Sequence, residues 1–313
     1  MKNYLGIDIG GTFAKMGIVR EDGTLLYGPN AYPTNFDDYE TPILTTVIKS
    51  AEAILSECGI EVSGIGVSAA GAINTRTGTV DGAAGHLPNY EGSRIKEDME
   101  AKFALPVWVL NDANAAALGE MWIGGAKGKK DVVVLTVGTG IGGGIIVDGH
   151  ILLGRSGFAG EIGHIPINVS GEKCYCGNTG CLEYVGATTA LVRKVKTSIA
   201  LGLIPPMKEV NGRTIFEMLP KHNIALDRIV KDWLFCISEG IVGLVHTFNP
   251  ETVLIGGGVS AQEELFIQPI RKYVLEHVMH EFADGLEIRA AKLGNKAGMF
   301  GAVKFCMEQM SRG

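Results

Sequence analysis

The chain has 313 residues, 46% hydrophobic and 20% charged, which gives ample apolar material for a core and too little charge density for a disordered chain. Lys and Arg total 28 against 34 Asp and Glu, a formal net charge of -6, and this field repels nucleic acid as a principal partner. The longest uncharged apolar run, residues 132–147, is short for a membrane span and broken by glycines, and the N-terminus lacks a secretory signal pattern, so the expected location is the cytoplasm, without a membrane partner.

In chain order, residues 4–9 predict a buried strand ending at Gly10-Gly11. Residues 15–19 predict the returning strand, and Asp22-Gly23 a second hairpin turn into 24–27. A helix is expected over 41–57, a strand over 64–68, a helix over 95–102 and a strand over 107–110, an α/β alternation. The strand-turn-strand-turn-strand opening then recurs at 132–137, 144–147 and 151–153, with Gly144 in the place of Gly17. So wide a repeat is a duplicated domain. The expected division is an N-terminal α/β lobe over 1–115 and a C-terminal α/β lobe over 116–296, facing each other across a cleft. A long helical region over 188–248, a strand over 252–255 and a closing helix over 297–313, packed back on the first lobe, complete the chain.

Glycine makes up 44 of the 313 residues, and it clusters. In Asp8-Ile9-Gly10-Gly11-Thr12, paired glycines let the backbone approach a phosphate, and Asp8 is suited to hold Mg2+ through water. Gly138-Thr139-Gly140-Ile141-Gly142-Gly143-Gly144 contains the letters G-x-G-x-x-G but leads into a strand, whereas a dinucleotide loop opens a helix. Gly256-Gly257-Gly258 follows the strand over 252–255. Any one of these is equally a tight hairpin; three in one chain, two at duplicated positions, predict a phosphate clamp.

Asp112 stands where the strand over 107–110 meets an alanine-rich helix. It reads either as a helix N-cap or as a general base. In phosphoryl transfer one carboxylate accepts the proton of the attacking hydroxyl, and Asn111 beside it is placed to orient that hydroxyl.

The set Leu5-Gly6-Ile7-Asp8-Ile9-Gly10-Gly11-Thr12, Asn111-Asp112-Ala113-Asn114, Gly138 to Gly144 and Gly160-Glu161-Ile162-Gly163-His164 resembles the ROK (repressor, open reading frame, kinase) family along essentially the whole chain. The resemblance implies the duplicated actin-like, ribonuclease-H-like ATPase fold, with ATP and Mg2+ between the lobes. Asp8, Gly10, Gly11, Thr12, Lys15, Gly138, Thr139 and Gly140 would then hold the nucleotide, with Gly256, Gly257 and Gly258 flanking the adenosine. It places a sugar against Asn89, Asn111, Asp112, Glu161, His164 and Glu183, with Asp112 as catalytic base, and implies a homodimer. Leu87-Pro88-Asn89-Tyr90 resembles a segment of ROK glucokinases. His86 and Ala70 depart from the family pattern. Kinases for N-acetylmannosamine, N-acetylglucosamine, fructose and β-glucosides share the rest.

His164 is followed by Cys174-Tyr175-Cys176 and Cys181. Four soft ligands suit a closed, structural zinc site, although C-x-C-x4-C alone also fits reactive or buried thiols. Together with the ROK resemblance, the pattern implies structural Zn2+. Because the glycine loops lie elsewhere in the chain, loss of zinc is expected to weaken sugar binding more than ATP binding. Cys58, Cys236, Cys306, Trp108, Trp122 and Trp233 read as core residues. Two other functions are weighed. ROK repressors carry an N-terminal helix-turn-helix, for which a first strand starting by Tyr4 leaves no room. Against an actin-like filament ATPase stand the Asn111-Asp112 pair and the Glu161, His164, Glu183 group.

Overall fold

The computed structural model describes residues 1–82 and 87–312. His86 lies outside the described residues. In the N-terminal half, β1 (Asn3–Ile9), β2 (Phe13–Arg20) and β3 (Leu25–Pro33) form a meander, followed by helix α1 (Ile43–Cys58) and strand β4 (Ile65–Ala69). A small hairpin, β5 (Ala72–Asn74) and β6 (Thr79–Gly82), precedes α2 (Ile95–Phe103), β7 (Val107–Asn111) and α3 (Asp112–Ile123). The main sheet runs β3-β2-β1-β4-β7. Its interior strand β4 is buried along its whole length, as a strand with parallel neighbours and both faces covered should be. The edge strand β3 instead alternates half-buried and exposed residues along most of its length.

The second half repeats this plan. It contains β8 (Val132–Val137), β9 (Ile141–Val147) and β10 (His150–Ile151), then α4 (Leu182–Gly186), α5 (Thr188–Ala200), α6 (Gly212–Met218) and α7 (Ile224–Phe248). Strand β11 (Thr252–Gly256), α8 (Gln268–His277), α9 (His280–Ala283), β12 (Glu287–Ala290) and α10 (Ala297–Arg312) follow. The sheet order β10-β9-β8-β11-β12 matches the first, with the same antiparallel and parallel pairings. The duplicated α/β architecture expected from the sequence is therefore present.

The long helical region over 188–248 is divided into three α-helices. Gly202 takes a left-handed φ of 71° and Pro205-Pro206 follows, so α5 cannot continue; Asn211 and Asn223 then cap α6 and α7 with their side-chain oxygens. Of the tryptophans, Trp233 is fully buried, while Trp108 and Trp122 are half-buried and Trp108 carries the Lys96 ammonium 3.8 Å from its ring centre.

Two helices join the halves. α3 packs on β8 and β9, α10 packs on β1 and β4, and the two pack on each other. Glycines permit the close approach: a Cβ on Gly301 would run into the Ala115 carbonyl, and one on Gly119 into that of Ala297. The equivalence of Gly17 and Gly144 has the same origin. Each lies at the same register beyond its turn, Gly17 beneath Met299 of α10 and Gly144 beneath Ala117 of α3. The division placed at residue 115 falls inside α3.

Candidate active site

The β1–β2 turn is closed by a hydrogen bond from the Gly10 N–H to the Phe13 carbonyl, 3.1 Å. One residue before it, Asp8 is flanked by Ser68 on β4 and Lys15 on β2, both at its own register. Ser68 Oγ donates to Asp8 Oδ1 at 2.7 Å, and Lys15 Nζ stands 4.0 Å from Oδ2. Burial raises the Asp8 carboxyl above its ordinary range, while Ser68 and Lys15 pull the other way.

Gly11 is held from two sides. Its carbonyl accepts from Thr34 Oγ at 2.8 Å and from the Tyr39 hydroxyl at 3.2 Å, and its Cα faces the Leu87 side chain. Asn89 Nδ2 donates to the Tyr39 carbonyl at 2.8 Å, so the segment containing Asn89 is tied to the first glycine turn. Asp38, Tyr39 and Asn89 all have positive φ, at 54°, 64° and 54°, a costly conformation for residues with a Cβ.

Asp112 opens α3, but the cap is Asn111. The Asn111 side-chain oxygen accepts from the Ala113 and Asn114 N–H groups at 3.0 and 3.2 Å. Its amide donates to the Gly71 carbonyl and to Asp112 Oδ1, each at 3.0 Å. Asn111 is thus the cap, and Asp112 Oδ1 shares the Ala113 N–H at 2.9 Å, which leaves Oδ2 without a protein partner. The Asp112 carboxylate opens on the cleft yet is ringed by protein, and this enclosure, with the nearby charges of Asp8 and Glu161, pushes its carboxyl up to about 6.

Of the long glycine run, only Gly138-Thr139-Gly140 forms the β8–β9 turn; Gly142, Gly143 and Gly144 belong to β9. There Gly142 and Gly144 admit Ala113 and Ala117 of α3, and Gly143 admits Ile162. The turn is held by Thr188 N–H on the Gly138 carbonyl, 2.9 Å, and Thr189 Oγ on the Thr139 carbonyl, 2.7 Å. Gly256 ends β11, Gly257 has φ of 100° against the Val137 carbonyl, and Gly258 faces open space.

Gly138, Thr139 and Gly258 line a cavity of about 830 Å³. The sequence reading missed the rest of its wall: Thr188, Thr189, Val192, Arg193, Lys196 and Thr197 of α5, Val210, Asn211, Gly212 and Arg213 at the start of α6, and Val259. Arg193 is fixed there, its guanidinium 4.4 Å over the Tyr184 ring and donating to the Tyr184 carbonyl. The Asn-Gly pair before α6, a helix-capping signal, is the one local clue to this wall.

His164, Cys174, Cys176 and Cys181 converge, with one ligand atom from each within 4.8 Å of the others. Cys176 and Cys181 Sγ are 3.6 Å apart, and Cys174 Sγ is 3.8 Å from His164 Nδ1. Tetrahedral zinc with sulfur at about 2.3 Å sets sulfurs roughly 3.8 Å apart, so the geometry is compatible with that ion. The knot lies beside the second glycine turn: Glu183 Oε2 accepts the Ile141 N–H at 2.8 Å, and a Cβ on Gly140 would strike the same oxygen. The separation of knot and glycine loops along the chain is therefore closed in space. Glu161 is accessible from the cleft near Asp112, and the protein crowding its carboxyl, with repulsion from Glu183, raises it against the pull of His164.

Residues 4–309 match the profile of the ROK family. A glucokinase of Thermotoga maritima is 31% identical over 318 aligned positions, covering 98% of both proteins. A ROK hexokinase structure from Thermus thermophilus has a TM-score of 0.84 at 30% identity and covers 99% of this chain and 100% of that one. A ROK family glucokinase from Streptomyces griseus, solved in complex with glucose and AMPPNP, has a TM-score of 0.78 at 32% identity, with 98% and 99% covered. No helix among the described residues is long and apolar enough to cross a membrane. Matched from first strand to last helix and sharing the two-lobe, actin-like fold of solved members, this chain belongs to the ROK family.

Proposed function

We propose that this protein transfers the terminal phosphoryl group of ATP to a hexose hydroxyl, with glucose as the preferred acceptor and Asp112 as general base. Sugar kinases are among its similar relatives, a Streptomyces griseus glucokinase solved with glucose and AMPPNP included. The observation that carries the reading is the position of Asp112: a cleft carboxylate at the start of α3, flanked by Asp8 and Glu161, with a carboxyl raised to about 6. Such a group is ionised at neutral pH yet basic enough to take a proton from a hydroxyl as it attacks.

Glu161, His164 and Glu183 would receive the sugar hydroxyls with Asp112, while Asn111 holds Asp112 in place. Asn89 contributes from the segment tied to Tyr39, and the preference for glucose rests on Leu87-Pro88-Asn89-Tyr90. The nucleotide base enters the 830 Å³ cavity beside Gly256-Gly257-Gly258, and its phosphates run to Gly138-Thr139-Gly140 and to Gly10-Gly11-Thr12 with Lys15. Asp8 and Asp112 put two carboxylates in one cleft, a donor set that a divalent cation relieves; Mg2+ brought with ATP would be held on the Asp8 side and neutralise phosphate charge. Zn2+ would be held by His164, Cys174, Cys176 and Cys181, with no position open for chemistry. A cytoplasmic homodimer completes the reading; light scattering of the purified protein reports the dimer.

The test is coupled ADP release with glucose, N-acetylmannosamine, N-acetylglucosamine, fructose and a β-glucoside. The highest kcat/KM is expected for glucose. A higher value for another sugar moves the acceptor and keeps the kinase; turnover indifferent to every sugar removes the kinase reading.

A further inference from the structure

The Tyr175 hydroxyl lies 3.2 Å from His164 Nε2, with the two rings edge to face and their centres 5.3 Å apart. The Glu183 carboxylate is a close neighbour of the same hydroxyl, and its charge helps hold the phenol in its protonated form. His164 presents its other nitrogen, Nδ1, to Cys174. A histidine committed to a metal cluster through Nδ1 carries its proton on Nε2, so the imidazole N–H donates to the phenol oxygen and the phenol O–H is left to turn toward the neighbouring Glu183 carboxylate. A sugar hydroxyl has this same pair of capacities. Yet the Tyr175 side chain is poorly anchored, since the residue is 72% exposed and its hydroxyl is the part that is engaged.

We propose that the Tyr175 hydroxyl is a built-in stand-in for a sugar hydroxyl, occupying His164 Nε2 beside Glu183 and yielding its place when the sugar binds. The inference rests on the reading that these two residues face the sugar. It gives Tyr175 a definite role as the positioning residue that sets sugar affinity. The incoming hydroxyl must displace the hydrogen bond between Tyr175 and His164, so the sugar gains less than it would from an unpartnered imidazole N–H. A sugar lacking that hydroxyl leaves the tyrosine where it is.

The experiment is calorimetric titration of zinc-loaded protein with glucose and with each monodeoxyglucose, for the wild type and Tyr175→Phe, with zinc counted by elemental analysis. Removing the hydroxyl should tighten glucose about 3- to 10-fold, the size of one net hydrogen bond. Nucleotide Kd and zinc content should stay unchanged. The gain should vanish for the one deoxy sugar that lacks the displacing hydroxyl and persist for the others. Weaker or unchanged glucose binding by Tyr175→Phe, or equal tightening of all the sugars, overturns the stand-in role alone. Absence of hexose binding by the wild type overturns the kinase reading and this inference with it.

Discussion

The two glycine turns occupy equivalent places in duplicated sheets, and hydroxyls grip a carbonyl at each, yet only the second is also held by a carboxylate. At the first, carbonyl oxygens are grasped by hydroxyls, with Thr34 and Tyr39 both donating to Gly11. At the second, a backbone N–H is taken by a carboxylate, Glu183 on Ile141, and the carbonyls are tied to the start of α5. The strand end before each turn differs too: Asp8 in the first half, Thr136 at the matching register in the second. Duplication supplied the frame, and divergence placed the charge. One half brings a carboxylate suited to a cation, while the other recruits Glu183 from beside the knot and so connects its turn to residues assigned to the sugar.

The largest effect should come from the residue shared by both halves, at the head of α3. Asp112→Asn should lower kcat by about 10² to 10⁴ while calorimetry still records sugar and nucleotide binding, because an amide keeps the shape and cannot accept the proton. Near-normal turnover would remove Asp112 from its role.

The two turns should then respond unequally to a single methyl group. At Gly140 the added Cβ meets the Glu183 carboxylate, which is pinned to Ile141; at Gly11 it meets only the end of the Leu87 side chain, 2.7 Å away, which can swing aside. Gly140→Ala should lower kcat/KM by about 10²-fold through misplacement of Glu183, whereas Gly11→Ala should cost less than roughly tenfold. The opposite ranking in steady-state assays would break the comparison.

Zinc loss tests the link between knot and turn. Since Glu183 touches the second turn, chelation or Cys176→Ser should weaken sugar and nucleotide together, by about 10-fold or more, when each is titrated alone. This replaces the expectation drawn from chain order, in which the sugar suffers more. A folded, zinc-free protein with normal nucleotide affinity would contradict it.

The smallest effect concerns stability. Asp112 has a carboxyl raised in the fold, so the fold favours the protonated form; that contribution is complete below about pH 4 and is lost as pH rises through about 6. Asp112→Asn should therefore raise Tm at pH 7, and scanning calorimetry should find the gain gone below about pH 4.

Much of this was legible in the sequence because it is local. Strand ends, glycine turns, the Asp112 junction and the Cys-x-Cys spacing all sit within a few residues of their own signals. The exceptions are contacts made across the chain. Ile141 meets Glu183 across 42 positions, and no periodicity encodes that. The cavity wall joins α5 to the start of α6, and reading 188–248 only as a long helical region left it undivided, even though Gly202 and Pro205-Pro206 mark the break. Asn111 and Asp112 are both good caps by residue type, so only the observed hydrogen bonds separate the cap, Asn111, from the carboxylate that keeps one oxygen for the cleft. The β5–β6 hairpin has strands of three and four residues, too short for an alternation to register.

The central claim, that a raised Asp112 carboxylate is the base for transfer to a hexose, is tested most directly by the pH dependence of wild-type kcat/KM for glucose. With both substrates kept well below their KM, this parameter reports groups of the free enzyme. The base must be ionised, so the rate should fall tenfold per pH unit on the acid side, with its half-point near 6. A profile that stays flat down to the ordinary carboxylate range, about pH 4, would contradict the account.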